Sequence, residues 1–202
     1  MKRMNTEEGF TGLEAAIVLI AFVVVAAVFS YVVLGAGFFT TQKAQEVVYT
    51  SVDQASSSVE ILGQVYGYGT KDGDEYTDIG RIQFKVGLTA GGSPVDFSKT
   101  SLTFVTDTNV SRLTLAGDKE VAENKITSGK WGVIKVFNSA NDAKDLLLEN
   151  QEQFVIVACP VAPTDNVTAN QNFHIEIRPS VGASYSINRK VTPSIGAVNV
   201  LN

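Results

Sequence analysis

One long apolar run near the start of the chain dominates its hydrophobic pattern. Residues 15–42 contain no charged side chain, and residues 15–29 contain no polar side chain at all. The run exceeds the about 20 apolar residues that a helix needs to cross the hydrocarbon core of a bilayer. It is too long for a strand and is rich in alanine and leucine beside valine, which favours a helix. Because apolar residues occupy every side of this helix, lipid or other protein must surround it.

A helical period continues beyond the apolar run. Apolar residues recur there along one stripe with polar residues beside it, and the stripe consists of Val48, Val52, Ala55, Val59 and Leu62. Gly63 follows at the place of a C-terminal cap. The pattern predicts one helix over residues 10–62, about 80 Å long at 1.5 Å per residue. Gly35 and Gly37 are the points where this helix can bend.

Residues 63–202 carry a different pattern, in which short alternating runs are separated by Gly, Asn, Asp, Ser and Pro. The runs lie at residues 82–88, 102–104, 113–115, 131–137, 154–158, 173–177, 185–187 and 197–201. About eight strands without intervening helices predict an antiparallel sandwich or barrel. Only the segment from Asp142 to Glu149 is expected to form a helical turn.

A short polar leader, residues 1–9, precedes the apolar run and contains Lys2 and Arg3. In a secretory signal the apolar region lies before the cleavage site. Here a cut after Gly9 would leave the apolar helix on the mature chain, which would begin at Phe10. The alternative is an uncleaved single-span anchor whose basic flank stays in the cytoplasm. The pattern alone does not decide between the two.

The junction sequence GFTGLE, residues 9–14, resembles the processing site of the type IV pilin superfamily. In that superfamily an aromatic first residue and a glutamate fifth in the mature chain precede an all-apolar helix. The continuation through FFTTQKAQE, residues 38–46, resembles more closely the archaellins, the filament subunits of archaeal flagella. Two features depart from the archaellin pattern. Glu7 and Glu8 stand where basic residues usually precede the glycine, and Glu14 is more typical of pilins.

The resemblance implies an α+β fold, in which a long N-terminal hydrophobic helix precedes an antiparallel immunoglobulin-like β-sandwich. It further implies cleavage between Gly9 and Phe10 by a prepilin-type leader peptidase. The helix would be held in the membrane before assembly. A filament assembly machinery would then build a helical homopolymer on the archaeal cell surface, which serves motility. Glu14 would act in assembly, because its pilin counterpart pairs with the terminal amine of an adjacent subunit.

Two other functions fit parts of the pattern. An adhesive pilus subunit would share the processed apolar helix and would lay a sheet against it. A membrane-anchored monomeric β-sandwich that binds a ligand would explain the apolar run. The second alternative leaves both the extended polar part of the helix and the junction between Gly9 and Phe10 without a role.

Composition excludes several classes of function. The net charge of −5, without a cluster of basic residues, argues against a nucleic-acid partner. Cys159 is the only cysteine and lies in an apolar run, so no intrachain disulfide can form. His174, the only histidine, alternates with Phe173 and Ile175 and is expected to face solvent. Without phosphate-loop, zinc or dinucleotide motifs, the sequence predicts neither an enzyme nor a resident cofactor.

Two features are candidate binding or modification sites. Four carboxylates surround Gly73 within seven residues, a density that suits Ca²⁺, and they are Asp72, Asp74, Glu75 and Asp78. A solvated acidic turn is the favoured interpretation, since the twelve-residue calcium-loop pattern is incomplete. The sequons at Asn109 and Asn166 lie between predicted strands, where a glycan could be accommodated.

Overall fold

The computed structural model describes residues 6–139, 145–162, 165 and 167–202. The chain divides into two compact units between Thr50 and Ser51. Most of helix α1, Thr6–Ser56, is the first unit. Its side chains are described from Gly12 onward, with the exception of Asp53. Residues from Ser57 onward form a domain of strands, called the β domain below.

Helix α1 ends at Ser56, so the predicted end at Leu62 is wrong. The backbone of the next residues is bound by the β domain instead of continuing the helix. The Ser57 carbonyl accepts a hydrogen bond from the Ala183 N–H at 3.2 Å, and the Ser58 carbonyl accepts one from the Thr89 N–H at 3.2 Å. Three consecutive serines at this point also have low helix propensity.

The second half of the predicted helical stripe therefore belongs to a strand. Val59 is buried in β1, Val59–Ile61, and Leu62 follows that strand. Gly63 has the positive φ of 84° that the capping prediction required. It lies after β1 and not at a helix end. The apolar residues of β1 happen to continue the helical spacing of α1, which explains the wrong prediction of the helix end.

Twelve strands are found in the described residues, together with two short 3₁₀ helices. After β1 they are β2 Val65–Asp72, β3 Glu75–Leu88, β4 Val95–Asp96, β5 Ser101–Thr106, β6 Val110–Leu115, β7 Lys130–Phe137, β8 Leu147–Leu148, β9 Gln153–Ala158, β10 Asn172–Arg178, β11 Tyr185–Lys190 and β12 Val198–Leu201. The 3₁₀ helices are η1 Phe97–Lys99 and η2 Glu123–Lys125. All eight predicted strands are confirmed. The expected helical turn at Asp142 to Glu149 is wrong in its described part, which contains β8.

Ten of the described strands form one sheet in the order β11-β10-β5-β6-β7-β9-β3-β2-β12, with β1 added beside β3. Strands β4 and β8 form a separate ribbon. The described pairs are antiparallel except β6 and β7, which run parallel. The two ends of the sheet approach each other where the Lys190 N–H donates to the Asn202 carbonyl at 2.7 Å. The predicted α+β architecture, a long helix followed by a mostly antiparallel sandwich, is confirmed, and the sandwich is nearly closed as a barrel.

One buried cluster fills the space that the folded sheet encloses. Alternate residues of each strand point into it, as Ile82, Phe84 and Val86 of β3 show. The ring of Phe97 from η1 is fully buried in it, and its centroid lies 5.5 Å from the Phe154 ring centroid in an edge-on arrangement. Such an edge-to-face pair contributes about 0.5–1.5 kcal/mol beyond the burial of the two rings.

A smaller cluster lies on the opposite, outer face of β7 and β9. Ile126, Val157 and Cys159 are buried there beneath the segment that carries η2. Lys135 on β7 is exposed beyond this segment, whereas Val155 on the neighbouring strand is buried.

Replacing Phe97 with alanine should lower the free energy of unfolding of the β domain by about 3–5 kcal/mol, because the side chain is fully buried among aromatic rings. The full chain in detergent, followed by circular dichroism during chemical denaturation, gives this value. Lys99→Ala in the same 3₁₀ helix is the control and should change it little, since this side chain is exposed. Equal losses from both variants would contradict the contribution of the buried Phe97 ring.

Candidate assembly surface and modification sites

Most of the exposed large apolar side chains in the described residues lie on helix α1. Every described side chain from Gly12 to Val52 is exposed. Phe22 is 74% exposed and Phe29 is 69% exposed, whereas globular proteins place such residues inside. The segment Gly12–Ser56 is long and apolar enough to cross a membrane. Since burial of each large apolar side chain is worth about 1.5–3 kcal/mol, this surface must contact lipid or other chains.

The two predicted N-terminal site positions lie on the same helix. Gly9 and Phe10 are within α1, before the part whose side chains are described. Glu14 is exposed near the start of the apolar surface. In a dry bundle of helices, a carboxylate at this position would need a cationic partner, since the effective cost of an unpaired buried charge is several kcal/mol.

The end of the apolar surface is marked by polar groups bonded along the helix. The Thr40 hydroxyl donates to the Ala36 carbonyl at 2.8 Å, and the Thr41 hydroxyl donates to the Gly37 carbonyl at 2.9 Å. Lys43 and Glu46 form an ion pair at 2.6 Å. The helix therefore changes near Thr40 from an apolar part, which water does not solvate well, to a polar part that is compatible with water.

The sequon residue Asn109 has a structural role in the β domain. Its side-chain amide donates to the Ser111 hydroxyl at 3.1 Å and also to the carboxylate of Asp165. Asp165 is fully buried, and its other oxygen accepts a hydrogen bond from the Val161 N–H at 3.3 Å. A glycan on Asn109 would replace one of the two amide hydrogens that these bonds use. Glycosylation of Asn109 stays a prediction. Asn166 lies outside the described residues.

Asp72, Asp74 and Glu75 lie at the turn between β2 and β3, and Asp78 lies within β3. Asp72 pairs with Glu75 across the turn, and Asp78 pairs with Thr70 further along β3. Among the described residues, no group of three or more acidic, histidine or cysteine side chains is arranged to hold a metal ion. The geometry gives the calcium hypothesis no support.

The two remaining candidate residues have structural positions. Cys159 is buried, and its thiol donates to the Ile126 carbonyl at 3.3 Å. Burial raises the pKa of this thiol, so the nucleophilic thiolate is disfavoured. His174 lies between buried residues of β10 and points away from the core, as predicted.

Asp165 is a hydrogen-bond partner of Asn109 that the sequence did not indicate. The contact joins two loops that are 56 residues apart. No local pattern signals such a pairing, because the carboxylate follows a proline-containing loop that resembles many solvated loops.

We expect Asn109→Ala to lower the free energy of unfolding by about 1–3 kcal/mol, because it leaves the buried Asp165 carboxylate without one of its donors. Ser111→Ala destroys the same sequon but keeps that hydrogen bond, and it should cost less. Urea denaturation of both variants tests the difference. If Ser111→Ala were the more damaging change, the hydroxyl and not the contact with Asp165 would be the important feature.

Removal of divalent cations should leave the melting temperature of the β domain unchanged, since the four acidic residues near Gly73 are not arranged to hold a metal ion. Thermal unfolding with and without a chelator measures this. A bound ion present at 100 times its dissociation constant would instead contribute about 2.7 kcal/mol, which the experiment would detect.

The chain is similar to known proteins over nearly its whole length. The model of a family described as archaeal-type flagellin matches residues 9–189. A protein of Archaeoglobus fulgidus named "Probable flagellin 1" is 39% identical over 203 residues, which cover 100% of this chain and 98% of that protein.

Two solved structures share the fold. The archaeal flagellum of Methanospirillum hungatei strain JF1 superposes with a TM-score of 0.70 at 33% identity, over 95% of this chain and 99% of that one. The archaeal flagellin FlaB1 of Methanocaldococcus jannaschii superposes with a TM-score of 0.56 at 15% identity, over 71% of this chain and 95% of that one. The second likeness concerns the fold alone.

Proposed function

Because the chain belongs to the archaeal-type flagellin family, we infer that it is a repeating subunit of the archaellum, an extracellular filament for motility. The observation that carries this inference is the exposed apolar surface of α1, together with the match over the whole chain to a subunit of an archaeal flagellum. The alternative, a membrane-anchored monomer, does not explain why the chain matches this family over residues 9–189 and shares the fold of a flagellum subunit.

The physical role of α1 is to occupy two apolar environments in succession. The hydrocarbon of a bilayer and a bundle of apolar helices have similar polarity. Transfer from one to the other therefore need not expose the residues between Gly12 and Phe39 to water. In this function the helix is held in the membrane as a precursor and then becomes the core of the filament.

Identical subunits related by a rotation that does not close build an open helix and not a ring. The β domains, with their acidic surface, would then form the outside of the filament. The required partners are further copies of the chain, a leader peptidase and an assembly machinery at the membrane. This role is structural, and it assigns no catalytic step to His174 or Cys159.

Processing is tested on the filament itself. Filaments sheared from cells should give the N-terminal sequence FTGLE, because cleavage after Gly9 removes the polar leader and begins the chain at Phe10. Edman degradation or terminal-peptide mass spectrometry provides the readout. A terminal sequence MKRMN would contradict processing, and filaments without this chain would contradict the filament function.

We propose that Glu14 acts in assembly by pairing with the α-amino group of Phe10 on a neighbouring copy. Glu14→Gln should therefore reduce filament yield while membrane insertion, cleavage and folding of the β domain stay normal. Electron microscopy of sheared filaments and immunoblots of membranes measure the two outcomes.

Glu46→Gln is the matched control for this experiment, since it removes the same charge from the polar part of the same helix, where Glu46 pairs with Lys43. That variant should assemble normally, because an exposed ion pair contributes only about 0–1 kcal/mol. Normal filament yield and length for Glu14→Gln would remove the assembly role of this carboxylate.

A further inference from the structure

The outer face of the sheet carries two lysines that form no ion pair with a carboxylate of the described residues. Lys85 of β3 and Lys135 of β7 both lie opposite Val155 of the intervening strand β9. The Lys85 ammonium lies 5.0 Å from the ring centroid of Phe137, and the Lys135 ammonium lies 4.8 Å from it. No described carboxylate lies at ion-pair distance from either ammonium. Lys85, Lys135 and Phe137 are called the lysine clamp below.

The lysine clamp places two like charges beside one ring. The negative face of an aromatic ring attracts each ammonium, with a gain of about 0.5–1 kcal/mol at an exposed site. It does not neutralise either charge, and the two ammonium groups repel each other. A carboxylate placed between them would remove that repulsion and form charge-assisted hydrogen bonds. The clamp is therefore suited to an acidic partner.

The same chain carries an acidic group of the required kind at the far end of β3. Asp72, Asp74 and Glu75 are exposed on the turn between β2 and β3, and no described cation pairs with them. Lys71, the nearest lysine along the strand, lies instead over the Tyr76 ring at 5.7 Å. These three residues are called the acidic turn below.

The two charged groups cannot meet within one chain. Lys85 follows Glu75 by ten residue steps along β3, which is up to about 33 Å at 3.3 Å per residue. Pairing with β2 on one side and, from Ile82, with β9 on the other keeps these residues in the strand, with register irregularities at two points of the β2 pairing. The acidic turn and the lysine clamp are therefore separate surfaces of the domain.

We propose that the acidic turn of one copy docks on the lysine clamp of the next copy in the filament. This inference rests on the proposed function, because only an assembly of identical chains brings many copies side by side. The charges favour a second copy as occupant, since the chain has a net charge of −5 and itself carries an exposed acidic group that complements the clamp. The contact joins two different surfaces, so each copy uses one surface on each neighbour and the contact propagates along an open helix.

The contact can be detected by zero-length cross-linking of intact filaments with a carbodiimide, which joins a lysine only to a carboxylate that touches it. We expect cross-linked peptides that join Lys85 or Lys135 to Asp72, Asp74 or Glu75. Because the two groups are up to about 33 Å apart along β3 within one chain, any such peptide must join two copies.

Two ion pairs within the chain provide internal controls for that reaction. Lys43 and Glu46 are 2.6 Å apart, and Lys99 and Asp96 are 2.9 Å apart, so both pairs should be cross-linked in the same sample. Recovery of the control peptides without any peptide joining the clamp and the turn overturns the proposal. Absence of the chain from the filaments is a different result, which refutes the filament function itself.

Charge reversal tests whether the contact contributes to assembly. Lys85→Glu with Lys135→Glu should reduce incorporation into filaments about tenfold, because it places like charges against each other. The triple change Asp72→Lys, Asp74→Lys and Glu75→Lys should do the same. The chain that carries both sets of changes should recover, since the attraction is restored with its sign reversed.

The matched control changes two lysines outside the clamp, Lys119→Glu and Lys125→Glu, which alter the net charge by the same amount. This control should assemble normally, and immunoblots of membranes should show equal amounts of all variants. Normal assembly of the one-sided variants, or no recovery in the combined variant, overturns the proposal.

Discussion

A helix that is apolar on every side cannot remain in water, and this constraint governs the rest of the molecule. Residues 15–29 offer no polar side chain with which to face solvent, and the described part of the helix is exposed in the single chain. The subunit therefore exists only where lipid or further copies surround α1. Membrane storage and polymerisation are two solutions of the same problem.

The β domain obeys the opposite rule, because it completes its own interior. Its sheet is nearly closed, and one buried cluster fills the space inside. In the described residues no buried side-chain nitrogen or oxygen lacks a hydrogen-bond partner. Even the buried Asp165 carboxylate receives donors from Asn109 and Val161. The described interior of this domain is therefore completed by its own residues.

Features determined by residues close together in the sequence were predictable, whereas features determined by residues far apart were not. The apolar helix and the alternating strands were predictable, since a short window of residues encodes their periods. The end of α1 was not, because Ala183 and Thr89, which are distant in the sequence, donate hydrogen bonds to the carbonyls of Ser57 and Ser58. Strand β2 was missed since Gly67 and Gly69 interrupt its alternation. The lysine clamp also lay beyond prediction, as Lys85 and Phe137 meet only through the order of strands in the sheet.

The end of α1 shows how strictly the change from helix to strand is specified inside the second unit, Ser51–Asn202. A side chain at Gly182 would collide with Ser57, because a Cβ atom there would lie 2.0 Å from the Ser57 carbonyl oxygen. Gly182 also has a φ of 104°, which a residue with a side chain rarely adopts. The close approach lets the Ala183 N–H bind the Ser57 carbonyl, so the helical hydrogen-bond pattern stops immediately after Ser56. The point where the helix ends is therefore set by residues that are more than 120 positions away in the sequence.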